Sequence, residues 1–447
     1  MKKKKVASIT FGCKVNQYET SCIVDEFTQT GYQITEFDKP ADVYIINTCT
    51  VTNRTDRKSR NAIRKALNQK QIDPNVKVVV TGCYSQRKKE EIEELGDVDL
   101  IVDNNSKSKI FEKLNSGNNL FKDIKEQHYF DEISTTKMLD KTRAFIKVQD
   151  GCDYYCAYCA IPYARGHSRS RKKNNILDQI NKLVDNGYKE FVLGGINLGL
   201  YGAESDYSLA KLLYEIETIK GVELVRLSSI EPQLFTDELL EYFTKSKKMC
   251  HHFHIPLQVG CDELLTKMGR RYTTEQFRNT IAKLRDIYPD VAIGIDVIAG
   301  LPGETEELFQ KTHLFLSNLD FTYLHVFSYS KRSGTRAEKM KGHVNGKIIK
   351  QRSNELISIS NTRLAEYTDF IIKNNIELKG VIEQRSEGYW TALSDHYVRI
   401  FLKSDENLEK KYLHLNPVSK KYDGIEVEEI SSTLEGEMSG SYRTERF

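Results

Sequence analysis

Short β-branched runs alternate with amphipathic stretches through the first hundred residues. KKVASITFGC predicts a strand closing in a Gly-Cys turn, and NQYETSCIVDEFTQTGY predicts a helix ending at Gly31. ADVYIINTCTV (41–51) predicts a second strand, DRKSRNAIRKALNQ a helix, VKVVVTGCYSQ (76–86) a third strand and VDLIVD (98–103) a fourth. Strands separated by helices imply a parallel sheet covered by helices. Residues 104–140 are polar and turn-rich, the composition of a linker. TRAFIKVQDGC (142–152) starts a second α/β array. Its further strands are KEFVLGGINLGLYG, VELVRLSSIEP, HHFHIPLQVG, VAIGIDVIAGLPGE and FTYLHVFSYS. Six strands with intervening helices are too few for an eight-unit barrel and predict a partial (β/α)6 barrel. From about residue 376 the pattern shifts to short runs broken by turns, ending in TLEGEMSG, which predicts a small antiparallel β-barrel. The predicted organisation is an N-terminal parallel α/β domain (1–115), a linker (116–140), the partial barrel (141–372) and the small barrel (376–441).

Composition supports a folded chain: 447 residues, 39% apolar, 29% charged and only eight prolines. No apolar run approaches the roughly 20 residues of a membrane span. The start MKKKKVASITFGCKVNQ lacks the apolar region of a signal peptide, so a cytoplasmic location is expected. Net charge is only +3, but the charge is patchy. Residues 54–65 carry six Lys/Arg against one Asp, and residues 165–173 carry five without an acid. Each run is compatible with an ordinary solvated helix face. Their placement just after cysteine motifs suggests instead that a polyanion approaches the chemistry, with Arg165, Arg169 and Arg171 as contacts.

Nine cysteines in a reducing compartment do not form a disulfide framework. Cys13, Cys49 and Cys83 each follow the end of a predicted parallel strand. Those ends line one edge of an open α/β sheet, where ligands bind, so the three thiols are expected to converge. Independent burial of each thiol is the alternative. Cys152, Cys156 and Cys159 lie in one loop as C-x3-C-x2-C. Three thiolates leave an iron–sulfur cluster with one open iron, and zinc with an open position follows the same logic. The compact spacing suits a cluster better, because a zinc site would want a second CxxC pair or histidines nearby. His252 and His254 of HHFH fall on one side of a strand without other converging ligands, so they are expected at the core or rim. Cys22, inside a helix, is expected to pack; Cys250 and Cys261 also stand outside both triads.

The loop GCDYYCAYCAIPYARGHSRSR after the first barrel strand resembles the radical S-adenosylmethionine (SAM) superfamily. Together with FGCKVNQYET, INTCTVT and TGCYSQ it resembles, more narrowly, the methylthiotransferases. GCKVNQYE and NTCTVT are similar to the branch acting on N6-threonylcarbamoyladenosine in tRNA. The likeness spans essentially the whole chain, and the terminal barrel is similar to the RNA-binding TRAM domain. The resemblance implies a 4Fe–4S cluster on Cys152, Cys156 and Cys159 that binds SAM, and an auxiliary 4Fe–4S cluster on Cys13, Cys49 and Cys83 that carries sulfur. It implies two SAM per turnover, one cleaved to a radical that removes hydrogen from carbon 2 of the adenine and one as methyl donor. It also implies a tRNA anticodon loop as partner, an electron donor such as a flavodoxin or ferredoxin, a sulfur source, and a monomer that uses no membrane.

On the same likeness, Gly194 and Gly195 would let backbone approach the methionyl part of SAM. Asn197 stands where the superfamily often has an acid. Ser229 and Glu231 suit ribose or amino contacts, Gln258 is a further polar candidate, and Asp296 lies in the stretch resembling an adenine-binding strand. Arg270 and Arg271 are candidate phosphate contacts, and Arg332 and Arg336 candidate readers of the threonyl carboxylate. Arg385 and Trp390 combine charge with an aromatic face, a common grip on single-stranded RNA, although Trp390 could equally fill the small core. Two alternatives stay open: the same chemistry on N6-isopentenyladenosine tRNA or a ribosomal protein, and a zinc-stabilised RNA-binding protein without catalysis.

Overall fold

The structure is a computed structural model that describes residues 3–116, 121–139 and 141–430, so the terminal TLEGEMSG run lies outside the described residues. The first sheet contains β1 (Lys5–Thr10), β2 (Gln33–Thr35), β3 (Val43–Thr48), β4 (Lys77–Gly82) and β5 (Leu100–Ile101), in the order β2-β1-β3-β4-β5, and every pair is parallel. All six residues of β3 are buried, as a central parallel strand covered on both faces requires. Period-2 alternation separates the faces. Val43, Ile45 and Val79 share a core with Tyr18, Cys22 and Ile23 of the helix Lys14–Gln29. Tyr44, Ile46, Val78 and Val80 pack with Ile63, Ala66 and Leu67 of the helix Asn53–Ile72.

The second array begins with β6 (Ala144–Lys147), followed by a short antiparallel ribbon of β7 (Gln149–Asp150) and β8 (Arg169–Ser170) that brackets the cysteine loop. β9 (Glu190–Gly194) and β10 (Leu224–Leu227) join β6 in one parallel sheet. β11 (His252–Gln258), β12 (Ala292–Ala299) and β13 (Tyr323–Ser328) form another. A parallel bridge between Val225 and Met249 links the two into a partial (β/α)6 barrel whose edge strands are β6 and β13. The core of the first sheet's inner face runs without a break into this barrel. The segment with linker composition contributes to it: Ile124, Ile133 and Met138 are buried, and Ile133 O accepts from Tyr18 Oη at 2.9 Å.

The last unit is a curled six-stranded sheet, a half-barrel, made of β14 (Leu378–Val381), β15 (Gln384–Ser386), β16 (Tyr389–Leu393), β17 (Arg399–Leu402), β18 (Tyr412–Lys421) and β19 (Gly424–Glu429). Its order is β14-β18-β19-β17-β16-β15, antiparallel apart from β17 with β19. It packs on Tyr367 and Ile371 of the helix Gly346–Lys373. Trp390 belongs to this core, 8% exposed, with Nε1 donating to Glu406 O at 2.9 Å, so it offers no free face for stacking on RNA. The turn after β16 closes the amino end of the barrel. Ser394 O accepts from Arg226 at 2.8 Å, and Tyr397 stacks on His252 with centroids 4.0 Å apart.

Candidate functional site

Register sets the first thiol triad. Thr48 of β3 pairs with Gly82 of β4, so Cys49 and Cys83 leave the same sheet edge, and Cys13 follows β1 after a short turn. Two glycines make this approach possible. Gly12 has φ +101°, and a Cβ there would sit 2.7 Å from Cys49 Sγ; Gly82 has φ +103°, and a Cβ there would sit 2.2 Å from Thr48 O. Asn16 ties the edge together by donating from Nδ2 to Phe11 O at 2.8 Å and to Thr48 O at 3.0 Å. Burial, then the neighbouring Cys83 and Cys13, pushes the Cys49 thiol up to about 12. Cys13 is exposed, and the surrounding protein, then the neighbouring Cys83, raise its thiol although Arg165 opposes them.

The second triad sits in the loop between β7 and β8. This loop is clamped on both sides: Ala157 N donates to Met268 O and Ala157 O accepts from Ala337 N, each at 2.8 Å. Burial raises Cys152 to about 11 and, with Cys156 and Cys152 adding to it, Cys159 to about 12. Three crowded thiols of this kind do not ionise together unless a cation compensates them, which is the service a metal cluster performs. Asn197 points Nδ2 at Cys152 Sγ, 3.8 Å away, and its Oδ1 is buried without a partner among the described residues. The donor set therefore fits a cluster with room for a further polar ligand. Gly194 and Gly195 stand beside it; Cβ atoms there would meet the Phe145 ring at 2.1 Å and Gln149 Oε1 at 2.7 Å.

The two triads are neighbours. The short helix Cys83–Arg87 packs on the helix Ile161–Arg165 that follows Cys159. Between them lies a buried charge network that sequence patterning missed. Arg165 donates to Glu19 Oε1 at 2.9 Å, Asp150 Oδ1 at 2.9 Å and Asn16 Oδ1 at 2.6 Å, while Lys147 bridges Glu19 and Asp150 at 2.9 Å each and Lys107 also bonds Glu19. The signal available was the Asn16/Glu19 pair of NQYE, which an i, i+3 spacing places on one helix face after Cys13.

Several arginines are corrected by burial. Arg165 is fully enclosed in that network. Arg169 donates to Gln127 and His167 carbonyls, and Arg171 pairs with Glu132, so neither is free to meet phosphate. Arg270 is held by Glu231 at 2.7 Å, with Nη1 3.3 Å from Cys156 Sγ, which makes it a companion of the thiol loop. Arg332 clamps the first domain to the barrel through Asn53 Oδ1, Thr50 Oγ1 and Asp56 Oδ2 at 2.6–2.7 Å. Arg271, Arg336 and Arg385 are exposed, as are Arg54, Arg57, Lys58, Arg64 and Lys65 on the helix Asn53–Ile72.

Inside the barrel, Asp296 faces His254 at 2.8 Å and His325 at 3.4 Å, and Ser229 Oγ lies 3.1 Å from His254 Nδ1. Gln258 takes φ +71° at an irregularity in β11. Cys22, Cys250 and Cys261 are buried. Among the described residues no helix is long and apolar enough to cross a membrane.

Residues 5–103 match the model of the Uncharacterized protein family UPF0004, and residues 146–316 match that of the Radical SAM superfamily. The chain is 39% identical over 432 residues to the threonylcarbamoyladenosine tRNA methylthiotransferase MtaB of Bacillus subtilis, covering 93% of this chain and 94% of that protein. It is 38% identical to the protein of the same name from Aquifex aeolicus, covering 86% and 97%. A tRNA-2-methylthio-N(6)-dimethylallyladenosine synthase from Natranaerobius thermophilus is 33% identical, covering 84% and 85%. Among solved structures, the radical S-adenosylmethionine methyltransferase TsrM from Kitasatospora setae superimposes with a TM-score of 0.57 at 15% identity, covering 75% of this chain and 77% of that one, a likeness of fold alone.

Proposed function

The chain belongs to the radical SAM methylthiotransferase family, and from that premise we propose that it inserts a methylthio group at carbon 2 of N6-threonylcarbamoyladenosine at position 37 of tRNA, next to the anticodon. The relatives bearing that activity in their names match the chain nearly end to end, at higher identity than the dimethylallyladenosine synthase. The observation that carries the reading is the packing of the Cys83 helix on the helix after Cys159, which makes two thiol triads neighbours. Carbon 2 of adenine is neither acidic nor electrophilic, so proton transfer by side chains cannot activate it. When bound, two 4Fe–4S clusters and two molecules of SAM per turnover would supply the radical, sulfur and methyl chemistry.

The chain's own residues bind, orient and shield. Cys152, Cys156 and Cys159 would hold one cluster and Cys13, Cys49 and Cys83 the other. Asn197, Gly194 and Gly195 would line the space for the methionyl group, with Ser229, Glu231, Gln258 and Asp296 on the barrel side. Arg270 would place a positive charge beside Cys156, and Arg165 one between the triads. We assign residues 1–115 to the auxiliary-cluster domain, 141–372 to the radical domain and 376–441 to RNA binding. The exposed Arg271, Arg336 and Arg385 and the basic helix face at 54–65 would steer the anticodon loop. A target base already in a single-stranded loop costs less to extract than a paired one. The enzyme would act as a cytoplasmic monomer with a flavodoxin- or ferredoxin-type electron donor and an external sulfur source.

The test is nucleoside analysis of tRNA from cells lacking the gene. Loss of the 2-methylthio form of N6-threonylcarbamoyladenosine, with the methylthio isopentenyl nucleoside intact, is expected. Loss of the isopentenyl derivative instead would move the assignment to that substrate, and loss of neither would remove tRNA from the account.

A further inference from the structure

Lys14, the residue after Cys13, lines a cavity of about 340 Å³ between the N-terminal domain and the barrel strands β6 and β9. Its wall includes Lys14, Lys141 and Arg143, with no aspartate or glutamate among the lining residues. Arg143 is paired outside the cavity wall with Glu383 at 2.8 Å. Lys14 has no ion pair or hydrogen bond among the described residues, and the charged groups acting on it are Arg143, Arg226 and Glu190. Of these, Glu190 is already paired with Arg226 at 3.0 Å. The side chains of Ser8 and Gln17, which share the wall, are also without hydrogen-bond partners among the described residues, while Phe145 and Val192 supply an apolar side. An unpaired ammonium, a free amide and a free hydroxyl facing one small space, with positive charge uncompensated, describe a receptor for an anion that also carries hydrogen-bonding groups.

We propose that Lys14 binds the carboxylate of the threonyl group on the substrate adenine, with Gln17 and Ser8 bonding the polar remainder of that substituent. This deepens the function proposed above and rests on it. The placement is chemically coherent. Lys14 directly follows Cys13, and the carboxylate lies only a few bonds from the purine ring, so the cavity would hold the substituent while the ring reaches out toward Cys13. The contact would read substrate identity, since an isopentenyl group offers neither charge nor donors. A charge-assisted hydrogen bond of this kind is worth about tenfold or more in affinity.

The test uses the cluster-loaded full chain and two synthetic anticodon stem-loops. One carries N6-threonylcarbamoyladenosine and the other its methyl ester, which removes the negative charge at the cost of one added methyl group. Wild type is expected to bind the acid about tenfold more tightly than the ester. Lys14→Gln should bring the ratio close to one with iron content unchanged, and Lys14→Arg should restore the preference. A wild-type protein that binds both equally, or a Lys14→Gln variant that keeps the preference, overturns the assignment. The parent reading is judged separately by wild-type turnover. Methylthiolation of the acid stem-loop with no effect of Lys14→Gln on the ratio sinks only the carboxylate contact, whereas no methylthiolation at all sinks both.

Discussion

Replacing Arg165 by methionine tests the joint between the two triads. The change keeps most of the side-chain volume but removes a cation that contacts Glu19, Asp150 and Asn16. Four cations, Lys107, Lys147, Arg165 and, at 3.8 Å from Asp150, Arg169, face two anions, Glu19 and Asp150, and all six groups are buried. Burial alone would raise the Glu19 carboxyl, but Arg165, Lys107 and Lys147 outweigh it and hold the group well below its ordinary range. Breaking a buried ion pair typically costs about 3–5 kcal/mol. Lys107 and Lys147 remain on Glu19, and Lys147 and Arg169 remain on Asp150, so the lower end applies, about 3 kcal/mol. Anaerobic urea unfolding of wild type and Arg165→Met, followed by far-ultraviolet circular dichroism, reads this as a lower midpoint. The double variant Glu19→Gln/Arg165→Met should lose less than the sum of the two single changes, because each single change strands a partner. A single variant that unfolds at the wild-type midpoint would refute the idea that this network joins the domains.

Two further outcomes are expected. Gly82→Ala would force a Cβ to within 2.2 Å of Thr48 O at φ +103°, so the turn before Cys83 must shift; iron measured after reconstitution should fall while the iron held by the 152–159 loop stays. His396 sits between Asp395 at 2.8 Å and Asp290 at 3.1 Å, with His251 beside it. Burial opposes its charge, but Asp395 and then Asp290 prevail and raise it to about 10. Its folded value exceeds the unfolded one, near 6.5, so the stabilisation is complete below about pH 6.5 and is lost as pH rises through about 10. Stability of wild type should therefore decline across that window, and His396→Gln should flatten this part of the decline; identical slopes would contradict the assignment.

The thiol triads were legible because cysteines at strand ends report topology as well as chemistry. Cys49 and Cys83 each follow a β-branched run, and parallel pairing then brings them to one edge. The arginines of residues 165–171 were not legible in the same way. A charge run does not say which side chains turn inward, and their partners Glu19, Glu132 and Asp150 come from three other places in the chain. The three-residue strand β2 was too short to show a period. The polar composition of residues 104–140 suggested a linker, but a few apolar residues, Ile124, Ile133 and Met138, anchor it in the core while much of 121–139 stays exposed. Lys14 was visible in the motif, whereas its lack of a partner among the described residues is a property of the tertiary structure alone.

The most direct measurement of the central claim is anaerobic iron and sulfide analysis of wild type, a Cys13/Cys49/Cys83→Ala variant and a Cys152/Cys156/Cys159→Ala variant, each reconstituted identically. Two separate four-iron sites predict about eight irons for wild type and about four for each triple variant. Loss of all iron from one variant with full retention in the other would contradict two sites, and with it the proposal that both triads act on one base.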